Sequence, residues 1–279
     1  MKKTAQALAV HLGLWVAVLF ALYPVLWVVM QATGSATAPE ARLLPWPSEP
    51  SLEHFEAVLL RQSEGRWLFG LQLLSSVLVS TATAVTAIAI ATPAAYALSR
   101  FDFVGKGSGT RLLLATQMFP GVAASIPLYL LLDAAGLLDT RTGLVLVYAT
   151  SAVPFAIFQL RGAFDAIPRE LEEAAMVDGE SRFGAFVRVV LPIARPALAV
   201  TALFAFMTAW NEFILAATFL SSEDLYTLPI LLDRYANEHD ANFGHFAAGA
   251  IVVSLPVMAL FYALSRQMVS GLASGGVKG

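Results

Sequence analysis

Residues 67–99 run for 33 positions without a charged side chain, and 241–265 do the same for 25. In hydrocarbon, a single segment satisfies its own backbone N–H and C=O groups only as a helix, and roughly 20 apolar residues cross the layer. Uncharged runs at 5–31, 112–132 and 142–160 are near or above that length, and 196–222 is interrupted by one charge, Glu212. The pattern predicts an all-α integral membrane protein with six transmembrane helices. Composition agrees. The chain is 58% hydrophobic and 13% charged, where soluble proteins have about 45–50% and about 25%.

Several kinds of chemistry are excluded. There is no cysteine, so disulfides and thiolate metal sites are ruled out, and His11, His54, His239 and His245 are scattered. Each histidine is read as solvated or hydrogen-bonded. A phosphate-cradling loop needs G-x-x-x-x-G-K-[ST], but the one Gly-Lys pair, Gly105-Lys106, has Arg100 at the required first glycine and Gly107 after it. No nucleophile-base constellation can be argued. The chain is therefore read as non-catalytic, binding no cofactor of its own, with lipid around it and no nucleic-acid partner.

Lys2 and Lys3 precede the run at 5–31, and Ala36-Thr37-Ala38 resembles a signal cleavage site. A signal core is about 7 to 15 residues, so an uncleaved first span is expected. Residues 33–66 form a mixed segment, with Trp46 and Trp67 suited to a membrane interface. Six spans put both termini on one side. With that side inside, Lys2, Lys3, Arg100, Lys106, Arg111, Arg161, Arg169, Arg182, Arg188, Arg195, Arg266 and Lys278 are cytoplasmic. Arg42, Arg61, Arg66, Arg141 and Arg234 lie outside, a ratio of 12 to 5. The expected organisation is a first span and external segment at 1–66, then a five-span core at 67–279 with a cytoplasmic loop at 161–195 and a tail at 266–279.

That loop carries the most informative stretch, EEAAMVDGESRFGAFVRVVLPIARP at 172–196. Pro168 suits a first helical turn, Leu171, Ala174 and Ala175 share one helical face, and Gly179 suits a left-handed helix end. Ser181 can cap a second helix on which Phe183, Phe186, Val187 and Val190 fall on one stripe, and Pro192 should limit its continuation. Such a pair presents Glu172, Glu173, Asp178 and Arg182 to water and docks a partner. Glu173-Ala174-Ala175, Asp178-Gly179 and Val189-x-Leu191-Pro192 resemble the EAA loop of ATP-binding-cassette importer permeases. The resemblance implies a coupling helix seated in an ATPase cleft, with Glu172, Glu173, Ala174, Ala175, Asp178, Gly179, Phe183, Leu191 and Pro192 as coupling residues. The bland alternative is an ordinary helical hairpin.

Trp210-Asn211-Glu212-Phe213, Thr227-Leu228-Pro229 and the tail at 271–279 are similar to carbohydrate importer permeases of the maltose type, specifically the shorter, MalG-like half. Glu180 departs from that pattern, where a small residue is common, and so does Ser274-Gly275-Gly276. The resemblance implies a multi-pass protein of a bacterial or archaeal plasma (inner) membrane. It also implies a second permease subunit, two ATPase subunits holding ATP and Mg, and an external sugar-binding protein. Readings from other classes are a secondary transporter or channel, a membrane enzyme, or a permease for a non-sugar solute such as glycerol phosphate.

Two further expectations concern transport itself. Gln72, Ser76, Ser80 and Thr83 lie at helical spacing in span two, and Thr201, Thr208, Asn211, Glu212 and Thr218 lie close to one face of span five. Ser76, Thr83, Thr208, Asn211 and Glu212 are candidates for a translocation path, or else small hydroxyls that let helices pack closely. Residues 221–244, with Asp233, Arg234, Glu238, His239 and Asp240, read as a solvated external loop that engages the binding protein, or as a plain connector.

Overall fold

Long apolar runs become long helices, and prolines decide where they bend. The computed structural model describes residues 2–39, 43–237 and 241–275. In chain order these hold α1 (Lys2–Ala32), α2 (Glu53–Leu59), the two-stranded hairpin β1 (Gln62–Ser63) and β2 (Arg66–Trp67), α3 (Leu68–Arg100) and α4 (Lys106–Met118). Then come α5 (Ser125–Ala134), α6 (Arg141–Asp165), α7 (Glu170–Val177), α8 (Arg182–Ala185), α9 (Leu191–Trp210), α10 (Ile214–Phe219), α11 (Leu228–Asn237) and α12 (Phe243–Gly275). Five helices are long and apolar enough to cross a membrane: Gln6–Ala32, Leu68–Arg100, Arg141–Asp165, Arg182–Trp210 and Phe243–Ser265.

The sixth span is a bent pair. Lys106–Met118 and Gly121–Ala134 meet at 94°, where a continuous helix at 112–132 was expected. Pro120 is the cause: it removes a helical N–H and forces the preceding residue out of the α region, and Phe119 is extended at ψ 127°. Pro127 falls in the first turn of α5, where its missing N–H leaves no bond unmade. Pro93, Pro154, Pro196 and Pro256 do sit inside helices.

The chain divides into two compact units. The first holds Met1–Leu71 and Ile230–Pro256. Its β1–β2 turn places Glu64 and Gly65 at φ 52° and 75°, the paired positive values of a two-residue hairpin that matches strand twist. The histidines expected to stand apart meet here: His54 is 1% exposed, and its ring centroid lies 5.2 Å from that of His245. Gly244 permits that approach, since any Cβ there would overlap the His54 ring. Among the described residues no group of three metal-ligating side chains forms.

The second unit holds Gln72–Pro229 and Val257–Gly279. A buried stripe runs down α3 through Ser76, Ser80, Thr83, Ala87, Ala91 and Ala95, small side chains whose spacing lets neighbouring helices approach closely. The core around it joins Ala91, Ala95, Tyr96 and Leu98 to Ile157, Leu160 and Phe164 of α6 and to Phe186, Val190 and Ala194. At the start of α3, the Gln72 side chain donates to the Glu223 carbonyl at 2.9 Å, and Arg141 donates to Ser75 Oγ at 2.9 Å.

The described residues of 221–244 are not a solvated loop. They contain a 3-10 turn at Glu223–Leu225 and the helix α11, and Thr227, Leu228, Ile230 and Leu231 are buried. A leucine and isoleucine at that spacing give α11 an apolar face, which the acidic residues around it obscured. Glu238, His239, Asp240 and the last tail positions, 276–279, lie outside the described residues.

Asp139 anchors the connection between α5 and α6. Its own φ is 53°, and its carboxylate accepts from the backbone N–H groups of Ser221 and Ser222 at 2.8 and 3.0 Å and from the Ser222 hydroxyl at 2.5 Å. Burial pushes the Asp139 carboxyl up, but the hydrogen bonds from the Ser222 hydroxyl and the two N–H groups outweigh it and hold it below its ordinary 3.8. Those donors favour the charged form, so their contribution is full above the ordinary value and is lost as pH falls through the lowered one. Asp139→Ala is expected to destabilise the purified protein by about 1–3 kcal/mol, read as a lower thermal midpoint at pH 7. That difference should shrink as the pH drops below 3.8.

Candidate functional site

The helix pair at 170–190 forms as its sequence demands. Three acids, Glu170, Glu172 and Glu173, occupy the first turn of α7, where the helix dipole favours negative charge. At its other end Gly179 has φ 97°, its N–H bonds to the Met176 carbonyl at 3.2 Å, and the Glu180 N–H bonds to Ala175 at 3.0 Å. These paired bonds close a helix through a left-handed residue, so glycine is required by backbone geometry. Ser181 then caps α8: its hydroxyl accepts from the Gly184 N–H at 3.0 Å. Glu180, the departure from the resembled pattern, forms an ion pair with Arg188.

Pro192 does not end this helix. Residues Arg182–Trp210 are continuous, because Phe186–Val190 form a π turn in which the Leu191 N–H reaches back to the Phe186 carbonyl. One wide turn relieves the overlap of the Pro192 ring with a carbonyl in the preceding turn, which in an ordinary α-helix breaks the path. The second helix of the pair is thereby the start of a membrane span. Span five begins at Arg182 and its main helix ends at Trp210, not at the boundaries 196–222 read from hydropathy.

Glu172, expected in water, is 6% exposed. Its Oε1 accepts from Arg100 Nε at 2.5 Å and its Oε2 from the Tyr96 hydroxyl at 2.6 Å. Arg100 Nη2 also donates to the Ile167 carbonyl at 2.9 Å and Nη1 to Ser99 Oγ at 3.1 Å. Ser99 in turn donates to Asp165 at 2.6 Å, and Arg169 donates to the Ser99 carbonyl at 3.1 Å. The Tyr96 ring lies 4.3 Å from that of Phe186, and the Arg182 guanidinium lies 5.3 Å over the ring of Phe101. A cavity of about 150 Å³ opens beside the pair, bordered by Arg169, Glu173, Met176 and Arg182.

The opposite side of the pair is bare. Leu171, Val177, Phe183 and Val187 are 43%, 87%, 74% and 41% exposed, Ala174, Asp178 and Gly179 are exposed with them, and Glu173 is exposed at the edge of the cavity. Ala175, Leu191 and Pro192 are half-buried. The structure thus brings the expected coupling residues together on one hairpin, and turns Glu172 inward. Sequence reasoning missed Tyr96 and Arg100, counting the latter only as a positive charge. Their spacing of four on a helix puts both on one face and was the available signal.

The five path candidates are not brought together. Ser76 is buried and accepts from the Leu228 N–H at 2.8 Å, and Thr83 is fully buried. Thr208 and Asn211 are exposed but donate to their own helix, to the carbonyls of Phe204 and Met207. Glu212 sits in the break between α9 and α10. Its carboxylate accepts from the N–H groups of Leu215 and Ala216 at 2.8 and 3.1 Å and from the Tyr148 hydroxyl at 2.6 Å. Those donors offset the desolvation of an intramembrane acid while capping α10.

The chain belongs to the family described as binding-protein-dependent transport system inner membrane component, whose model matches residues 87–271. It is similar to the inner membrane ABC transporter permease protein YcjP of Escherichia coli, 34% identical over 100% of this chain and 99% of the relative. It is also 34% identical to the trehalose transport system permease protein SugB of Mycobacterium tuberculosis, covering 93% of each chain. A bacterial ABC transporter that imports the acidic polysaccharide alginate has a chain that superposes with TM-score 0.76 at 25% identity, over 95% of this chain and 96% of that one. Family membership makes this chain a non-catalytic permease subunit of an ABC importer.

Because Gly179 is held at φ 97° with open space around it, backbone strain alone decides its replacement. Gly179→Val is expected to destabilise the turn by about 1–2 kcal/mol or more. Limited proteolysis checks this: cleavage at 177–182 should accelerate several-fold, with the membrane spans still protected.

Proposed function

We propose that this chain is one permease half of an ATP-driven carbohydrate importer, and that the 170–190 pair is the surface on which an ATPase subunit docks. The observation that carries the reading is the division of the pair. Glu172 and Phe186 are buried inward, while Leu171, Val177, Phe183 and Val187 face outward in a chain whose own core has no use for them. Exposed apolar residues rimmed by charge mark a partner site.

The carbohydrate assignment is supported by relatives named for trehalose and for galactooligosaccharides, and by the alginate importer. A second permease subunit, two ATPase subunits carrying ATP and Mg, and an external solute-binding protein complete the assembly. The excess of basic residues on one side favours an inner-membrane orientation with both termini and the pair cytoplasmic. ATP binding closes the ATPase dimer, moves the docked pair and switches the spans from inward-facing to outward-facing. Thr208, Asn211 and Thr218 of the polar residues read on span five are exposed, and Thr208 and Asn211 are the two assigned to a translocation path. Glu173, on the exposed face of α7, pairs with a basic residue of the ATPase at the edge of the interface.

Truncating a central aromatic anchor of an interface costs about 2 kcal/mol or more, and each 1.4 kcal/mol is about tenfold in affinity. Phe183→Asp is therefore expected to lower retention of the ATPase subunit on the purified permease at least about tenfold, with Glu173→Ala intermediate and Asn211→Ala unchanged. Co-purified subunit stoichiometry reads the effect. Wild-type retention in Phe183→Asp would place the ATPase elsewhere.

A further inference from the structure

We propose that Tyr96, Arg100 and Glu172 are positioning residues that lock the 170–190 pair to the end of α3, so that the pair and this span move as one body. The inference rests on the ATPase-docking reading and adds the route by which force on the pair enters the membrane.

Chain connectivity joins the pair only to α6, through residues 166–169, and to α9, through the π turn. Nothing covalent nearby links it to α3, whose last residue, Arg100, lies 72 positions before Glu172. Side chains make the link at three places: Glu172 on α7 receives Arg100 and Tyr96, the Ile167 carbonyl just before α7 receives Arg100, and Phe186 in the π turn packs on the Tyr96 ring.

The chemistry suits a rigid joint. The planar guanidinium uses Nε, Nη1 and Nη2 on three different acceptors, Glu172, Ser99 and Ile167, a fork that a lysine ammonium cannot reproduce. Tyr96 stands one helical turn before Arg100 and binds the other carboxylate oxygen, so both oxygens are held from one helix face. Arg100 and Glu172 have side chains 7% and 9% exposed, leaving little water to replace either partner when the pair opens. Glu173, one residue on, remains outside and free for a partner.

The chain has no cysteine, so a nitroxide pair can be introduced without background labelling from it. Labels at Ile90→Cys on α3 and Glu170→Cys on α7 sit on exposed positions, the second outside the docking face, and Ile90→Cys with Phe155→Cys on α6 reports the bundle alone. Distances are measured by pulsed electron resonance in the assembled complex, nucleotide-free and with ATP and vanadate. With the native triad the α3–α7 distance should be narrow and agree between the two states within about 2 Å. In Glu172→Gln and in Tyr96→Phe it should broaden and shift beyond that between states, while the α3–α6 distance and ATPase stoichiometry stay native.

Native narrow distances in both variants, or a shift with the triad intact, would overturn the proposal. Should Glu172→Gln disturb the α3–α6 distance, Tyr96→Phe decides, since it removes one hydroxyl and keeps the ring. Failure of the docking reading looks different: the ATPase would be absent from the pair in the native complex.

Discussion

The buried pair between Arg100 and Glu172 is the interaction on which the orientation of the 170–190 hairpin depends. Two charges less than a tenth exposed are expensive to desolvate, and their attraction offsets this only with good geometry and further hydrogen bonds to both ions. Here both conditions hold: the guanidinium has three acceptors, and the carboxylate has a tyrosine donor besides. Removing one partner of such a pair costs about 3–5 kcal/mol, whereas replacing both by apolar side chains is often neutral. Stability alone therefore gives little reason for ions at this place. A directional joint between a span and a docking surface does.

A second constraint shapes the membrane part. Backbone groups must be satisfied inside the layer, so every interruption of a helix needs a local remedy. Span three turns through 94° at Pro120. The break after Trp210 is closed by Glu212, which takes two backbone N–H groups and a tyrosine hydroxyl. At Pro192 the remedy is the π turn, which keeps the hairpin mechanically continuous with α9. The same hairpin is thus tied to three spans by different means, by backbone to α6 and α9 and by side chains to α3.

Much of this was legible in the sequence where local physics decides. Uncharged length located four of the spans but missed the bend at Pro120 and the start of span five at Arg182, and Gly179 and Ser181 announced a left-handed helix end and a helix cap, both present. What stayed hidden depends on partners distant in sequence. Glu172 and Glu173 are adjacent and chemically alike, and only an arginine 72 residues away separates the buried one from the exposed one. Ser76 and Thr83 read either as a polar lining or as small hydroxyls that let helices pack, and their burial in the α3 stripe accords with the second. Proline was ambiguous too: Pro120 breaks its span while Pro154 and Pro256 sit inside continuous helices.

The central claim is that one face of the hairpin is held by α3 while the other holds the ATPase. A cryo-electron microscopy structure of the ATP-bound complex in lipid nanodiscs tests it most directly. The account predicts Phe183 and Val187 in an ATPase cleft, with Glu172 still bonded to Arg100 and Tyr96. Glu172 released from Arg100 and paired instead with a residue of the ATPase would contradict it.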